Sequence, residues 1–258
     1  MAMLMDEMTI LKNSLNKANL VSNHLEDMEE FFTYMYAIAA IAIQKRYPNI
    51  LMRVIPSSTT IYKEKDKLYE SFSFAINEVK ELSEELSSYE KDNPEGFGKV
   101  KYHLDLFFFA ITEKGNLEYT YTDDYIISVE DSCKYLDVTR PTINKYMRMG
   151  LEQISTTKHK KIPIHAVMLW KDPEWLTNIQ TLHGMYIERN KTLQDEYREV
   201  LLKIKEFEQI YDGQPFSVVY SEVLSGKIHW DETESPSDYL LWESLEEERE
   251  KLEKGLGI

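Results

Sequence analysis

The chain has one cysteine, Cys133, in 258 residues. No disulfide framework and no thiolate zinc cage can form within one copy, and a reducing compartment suits it. Glycine (9) and proline (8) are scarce. That excludes collagen-like and long structureless stretches and favours helix. No apolar run reaches the roughly 20 residues that a spanning helix needs. The most apolar stretch, Phe31 to Ile43, has 13 residues and reads as a buried core helix. The first residues, MAMLMDEMTILKN, put acids where a secretory leader needs a basic start. A cytoplasmic protein without membrane contact is expected. Positive charge is the other deficit: 30 basic against 45 acidic residues leave a net −15. A generally basic nucleic-acid coat protein is excluded, but a local basic patch is not.

Catalytic signatures are missing too. The chain contains no G-x-G-x-x-G, no phosphate loop, no G-x-S-x-G and no H-E-x-x-H. Its six histidines (His24, His103, His159, His165, His183 and His229) are scattered. No catalytic residue, metal ligand or cofactor is expected, and the protein reads as a non-enzyme. Cys133 falls on the inner face of a short helix, where a thiol serves as a small core residue.

What is present is mainly helix with a small β component. Residues 1–46 read as helix throughout, stopped by Pro48. Asn49 to Ile55, between two prolines, is a strand or an extended linker. Lys63 to Tyr89 repeats apolar residues at helical spacing (Leu68, Phe72, Ala75, Ile76, Val79, Leu82, Leu86). A β-hairpin is expected over about 97–122: an aromatic and branched run to Thr112, a Glu113-Lys114-Gly115-Asn116 turn, and an alternating LEYTYT. Residues 1–125 thus form an α-rich N-terminal module.

Residues 126–172 carry a mechanism. Ser128, three residues before Asp131, can cap a short helix bearing Val129, Cys133 and Leu136 on one face. After a turn at Asp137-Val138, Thr139 can cap a second helix, with Pro141 early in it, where a missing N–H is harmless. Gly150 suits its end. Ile143 with Tyr146 or Met147 would face inward. Arg140, Thr142, Asn144, Lys145 and Arg148 would face outward. Arg and Asn can bind base edges in pairs of hydrogen bonds, while Lys and Thr reach phosphates. A strand over Glu152 to Thr156, a basic turn (Thr157, Lys158, His159, Lys160), a strand over Lys161 to Ile164 and a helix from His165 to Trp170 follow.

This order of elements, with V-T-R-P-T-I, R-M-G-L and K-I-P-I-H-A-V-M-L-W in sequence, resembles the excisionase-type, MerR-like winged helix-turn-helix. The resemblance covers 126–172. Lys161, Ile162, Pro163 and Trp170 match its wing-to-helix junction, though the wing lacks the usual Gly-Arg element. It implies that the second helix enters the major groove and that the wing lies on the flanking backbone. Candidate DNA-binding residues are Thr139, Arg140, Thr142, Asn144, Lys145, Arg148, Lys158, His159, Lys160 and Lys161. From Thr139 to Lys161 the charge is +5, leaving −20 for the remainder. The bland alternative is a solvated helix face with a Lys-rich turn.

Residues 173–212 read as one long helix. Ile179, His183, Tyr186, Asn190, Leu193, Tyr197, Val200, Ile204, Phe207 and Tyr211 alternate at spacings of four and three. Two readings stand: a homodimer seam (Ile179, Tyr186, Asn190, Leu193, Tyr197, Val200, Ile204, Phe207), with Asn190 setting register, or an amphipathic helix packed on its own N-terminal module. MerR-like proteins pair through a helix in this position. Residues 213–258 form an acidic helical segment, similar in its loose landmarks to a C-terminal module of antitoxin-like bacterial proteins. That similarity implies a partner protein bound by Tyr239, Trp242 and nearby acids; a plain helical cap is the alternative. The whole predicts a sequence-specific double-stranded DNA-binding protein, a dimeric bacterial or phage transcriptional regulator. Alternatives are an antitoxin or adaptor holding a protein partner with DNA binding as autoregulation, or a recombination accessory that bends DNA.

Overall fold

The computed structural model describes residues 28–155 and 159–258, together with 9, 10 and 13. It is mainly helical with small antiparallel sheets, and the chain divides into two compact units between Asn190 and Lys191.

The first unit is built on three helices. α1 (Met28–Arg46) buries Phe32, Met35, Ala39 and Ile43. The remainder of the helix expected over 1–46 lies outside the described residues. α2 (Lys65–Ser88) buries Leu68, Ala75, Val79, Leu82 and Leu86, five of the seven positions its spacing singles out. α3 (Pro94–Ile111) corrects the expected hairpin over 97–122. Its aromatic and branched residues have high strand propensity, yet Phe97, Val100, Leu104, Phe107, Phe108 and Ile111 recur at helical spacing and all are buried. Asn93 starts the helix by accepting the Gly96 N–H at 2.8 Å, with Pro94 in the first turn. Burial of one continuous helical face outweighs the weaker local preference.

The strands that remain pair elsewhere. β1 (Leu51–Pro56) runs antiparallel to β4 (Leu117–Tyr121), with Val54 opposite Tyr119. The short β2 (Ile61–Tyr62) pairs with β3 (Thr112–Lys114). β3 and β4 therefore do not bond to each other. Each is drawn to a strand preceding α2, because those partners let Leu51, Val54, Leu117 and Tyr121 close over the helical core. Phe97 is fully buried and meets Tyr47, Tyr121, Tyr125 and His165 edge-on, with ring centroids 5.1–6.0 Å apart.

A smaller subcore follows in the same unit. β5 (Ile126–Ser128), α4 (Val129–Leu136), α5 (Arg140–Arg148), β6 (Ile154–Ser155), β7 (Lys160–Pro163) and α6 (Ile164–Trp170) come in that order. The sheet order is β5-β7-β6, antiparallel, with Ile127 opposite Ile162 and Ile154 opposite Lys161. Ile143, Met147, Leu151, Ile162, Val167 and Trp170 form the buried centre, and Cys133 packs against it from α4 as the sequence suggests.

The helix expected over 173–212 is two helices. α7 (Pro173–Arg189) ends at Asn190, and α8 (Leu193–Ile210) begins from Thr192. Thr192 Oγ1 accepts the Asp195 N–H while the Asp195 carboxylate accepts the Thr192 N–H, a reciprocal cap that starts a new helix. Most residues of the expected seam make contacts within the monomer, while Asn190 and Leu193 are exposed. Ile179 packs in the subcore, and the Tyr186 hydroxyl donates to the Asp105 carbonyl at 2.9 Å. The Asn190 Oδ1 accepts the Gly115 N–H at 3.1 Å. Arg189 Nη1 donates to the Phe109 and Thr112 carbonyls and its guanidinium lies over the Phe109 ring. The packing alternative thus describes the N-terminal half of the segment.

In the second unit, α8 packs on α11 (Pro236–Leu256), with two short helices, α9 (Phe216–Val219) and α10 (Ser221–Leu224), between them. Tyr197, early in α8, donates to Glu253, late in α11; Tyr211, just past α8, donates to Asp238 at the start of α11. The two long helices are therefore antiparallel. Val200, Ile204, Phe216, Tyr220, Tyr239 and Trp242 form the core, with Tyr197 and Phe207 against it, while Leu193 is exposed. Four seam residues here face this core, and Tyr239 and Trp242 do so too. Trp242 has no exposed surface, so it offers nothing to a protein partner.

Phe97→Ala leaves a void among four rings at the junction of core and subcore, and is expected to cost about 3–5 kcal/mol. Guanidinium unfolding monitored by circular dichroism measures it; a loss below about 1 kcal/mol would show that the junction repacks freely.

Candidate nucleic-acid interface

Ser128 opens α4 by accepting the Asp131 N–H at 3.1 Å, and its hydroxyl donates to the Asp131 carboxylate at 2.6 Å. Asp137 ends that helix in the left-handed region (φ 54°), which places the next helix across it after two residues. Thr139 occupies the capping position of α5 but does not cap it. Its hydroxyl lies 3.0 Å from that of Thr142, and Pro141 has removed one of the N–H groups a cap would satisfy. Thr142 is half-buried. Gly150 follows α5 with φ 112°, and a Cβ there would come within 2.9 Å of His183. Only glycine meets both demands.

Arg140, Asn144, Lys145 and Arg148 are all exposed, along one stripe of α5, with Ile143 and Met147 buried opposite. Among the described residues Arg140, Lys145 and Arg148 make no ion pair, in contrast to Lys134 on α4, held by Glu130 at 3.0 Å. Lys160 and His159 are exposed and Lys161 half-buried on the hairpin that follows; Lys158 lies outside the described residues. Glu152 is the single acid between Thr139 and Lys161, and it points inward. Arg140, Lys145 and Arg148 therefore carry their charge on the outer face of α5 with no ion-pair partner among the described residues.

Where Glu152 goes was not legible in the sequence. Its carboxylate accepts from the Tyr121 hydroxyl at 2.7 Å and lies 3.1 Å from His165 Nε2 and 3.4 Å from Lys101 Nζ. Lys101 also holds Asp105 at 2.7 Å, and the Tyr119 hydroxyl donates to Asp105 at 2.8 Å. Tyr125 stacks on His165, its hydroxyl 3.2 Å from Nδ1. Burial works against every charge in this network. For Lys101 it is outweighed by the two carboxylates, and the ammonium is strengthened. For Glu152 it is outweighed by Lys101, His165 and Tyr121, which hold the carboxyl well below the usual range. Asp105 is pushed up, because burial prevails over Lys101 and Tyr119. His165 is pushed down by burial despite Glu152, so its imidazole is neutral. The i,i+4 spacing of Lys101 and Asp105 was the only signal in the sequence; Glu152 and His165 meet them only through the fold.

The network lines a cleft of about 1120 Å³ within the first unit. Its walls come from α3, β4, the end of α5, the Leu151–Ile154 segment, α6 and α7. No cluster of three or more metal-ligating side chains occurs among the described residues, and no described helix is long and apolar enough to cross a membrane.

The depressed pKa of His165 has a sign. Below its usual value of 6.5 the unfolded side chain takes up a proton that the folded one refuses, so stability falls as pH drops below that value. The Glu152 contribution is present above the usual 4.5 and is lost only as pH falls below it. A melting temperature that declines as pH is lowered from 6.5 towards 5, with a shallower decline in His165→Gln, is expected from calorimetry. Equal slopes would mean that His165 takes up its proton in the folded state as readily as in the unfolded one. Compared with protein-family models, curated proteins and solved structures, the chain matches none.

Proposed function

We propose that the protein binds double-stranded DNA sequence-specifically, through a winged helix-turn-helix made of α4, α5 and the β6–β7 hairpin. The observation that carries this reading is the exposed, unpaired Arg140–Asn144–Lys145–Arg148 stripe on an otherwise acidic chain. Solubility needs no such patch on a protein of net charge −15. An α-helix of this width fits the major groove, where Arg and Asn discriminate bases. Lys160 and Lys161, on the hairpin beside it, suit phosphates. The acidic remainder would repel DNA from every other face and confine contact to this one. Regulation of transcription is the role that such a reader serves.

Selection from random duplexes with purified protein, read by sequencing at two salt concentrations, tests the reading. A recovered motif supports it, as an inverted repeat if two copies bind and a single half-site if one does. No enrichment at low salt overturns it. Arg148→Ala and Asn144→Ala are each expected to cost about 1–3 kcal/mol at the selected site and to relax preference at one position. Lys160→Ala is expected to weaken all sequences alike and flatten the salt dependence. Unchanged specific affinity in both α5 variants would remove that helix from the interface.

A further inference from the structure

We infer that the cleft of the first unit is a binding site for a small organic cation: a protonated amine carried on an apolar or aromatic body. Its volume, about 1120 Å³, is ample for such a molecule. The floor supplies the charge argument. Asp105 and Glu152 share one ammonium, that of Lys101, and His165 beside them is neutral. The floor thus sets two carboxyl groups, Asp105 and Glu152, against the one ammonium of Lys101, and burial pushes Asp105 up because that ammonium does not fully offset it. Glu118, exposed on β4, adds another acid to the lining. A buried surplus charge is costly until an opposite charge reaches it, and an incoming ammonium supplies that charge together with hydrogen-bond donors for the carboxylates.

The walls supply the body argument. Tyr102, Tyr119, Trp170 and Tyr186 line the cleft, with Leu169 and Leu182. Aromatic faces attract a cation and cover an apolar frame, and Lys101 already lies 4.3 Å from the centre of the Tyr119 ring. An anionic ligand would meet Asp105, Glu118 and Glu152 against the single lysine. A metal ion would find no group of three or more ligating side chains here among the described residues.

The cleft reaches Met147 and Gly150 at the end of α5, and Glu152 is two residues further on. A ligand that engages Glu152 therefore bears on the orientation of α5. This link, unlike the site itself, rests on the reading of α5 as the DNA-contacting helix.

The test uses the full chain and three matched probe sets: arylalkyl amines, the corresponding alcohols, and the corresponding carboxylates. Thermal shift and tryptophan fluorescence at neutral pH read the binding. Amines are expected to stabilise and bind at least about tenfold more tightly than their alcohols, the worth of a charge-assisted contact, and carboxylates least. Asp105→Asn keeps volume and removes the surplus charge, and is expected to abolish the preference for amine over alcohol. Glu118→Lys, an exposed change that leaves the floor intact, is expected to weaken the amines if Asp105→Asn does not fold. Equal affinity across the sets, tighter carboxylates, or no binding by any amine overturns the site. Amine binding that leaves affinity for the selected DNA unchanged overturns the link to α5 and leaves the site standing; loss of DNA selection with amine binding intact would strike the DNA reading alone.

Discussion

The ammonium of Lys101 between Asp105 and Glu152 is the contact on which the first unit's arrangement turns. Asp105 sits one turn along α3 from Lys101, but Glu152 comes from the segment after α5, and His165 from the start of α6. One cation therefore ties the helical core to the smaller subcore. Neither carboxylate could remain charged there alone, since a lone buried charge is far more costly than a paired one. The tyrosines complete the arrangement: Tyr119 and Tyr121 each donate to one carboxylate, from neighbouring places on β4 that face the same side. The aromatic cluster around Phe97 packs beside it through Tyr121 and His165. Packing and polar pairing support each other here, and loss of either exposes the other.

The same contact shapes the outer surface. Glu152 is the acid that would otherwise offset the cations of α5, and its inward turn leaves them without a local partner. An ion pair at the wall of the cleft thus sets the electrostatics of a surface some residues away. The proposed DNA-binding face and the proposed ligand cleft share this residue's neighbourhood, which gives a physical reason for them to be coupled: a ligand that competes for Glu152 acts on the segment that leads directly out of α5.

The region 173–212 shows how one pattern supports two incompatible structures. Its alternating spacing fits a continuous seam, yet the chain stops a helix at Asn190 and restarts it at Thr192. The capping pair Thr192 and Asp195 was present in the sequence as a start signal inside an apparently uninterrupted helix. Heptad spacing reports which residues share a face. It does not say whether that face meets a second copy, the preceding module, or a following helix. Here α7 meets the preceding module, through Tyr186, Arg189 and Asn190, and α8 meets α11.

Local chemistry was legible wherever short-range geometry decides it. Ser128 as a cap, Gly150 as a terminator, the break at Pro48, and the amphipathic faces of α2 and α5 all follow from contacts within a few residues. The charge of the 139–161 stretch and the exposure of Arg140, Asn144, Lys145 and Arg148 were readable for the same reason. Partnership was not. The aromatic run in α3 has strand propensity, and only the helical core it covers makes it a helix; β3 and β4 look like a hairpin, and only β1 and β2 separate them. Tyr239 and Trp242 look available and are buried. Glu152 and His165 look unremarkable in sequence and stand at the centre of the unit. These outcomes depend on contacts between residues far apart in the chain, whose free energies of burial and charge pairing exceed any local preference, and such contacts exist only once the tertiary structure has formed.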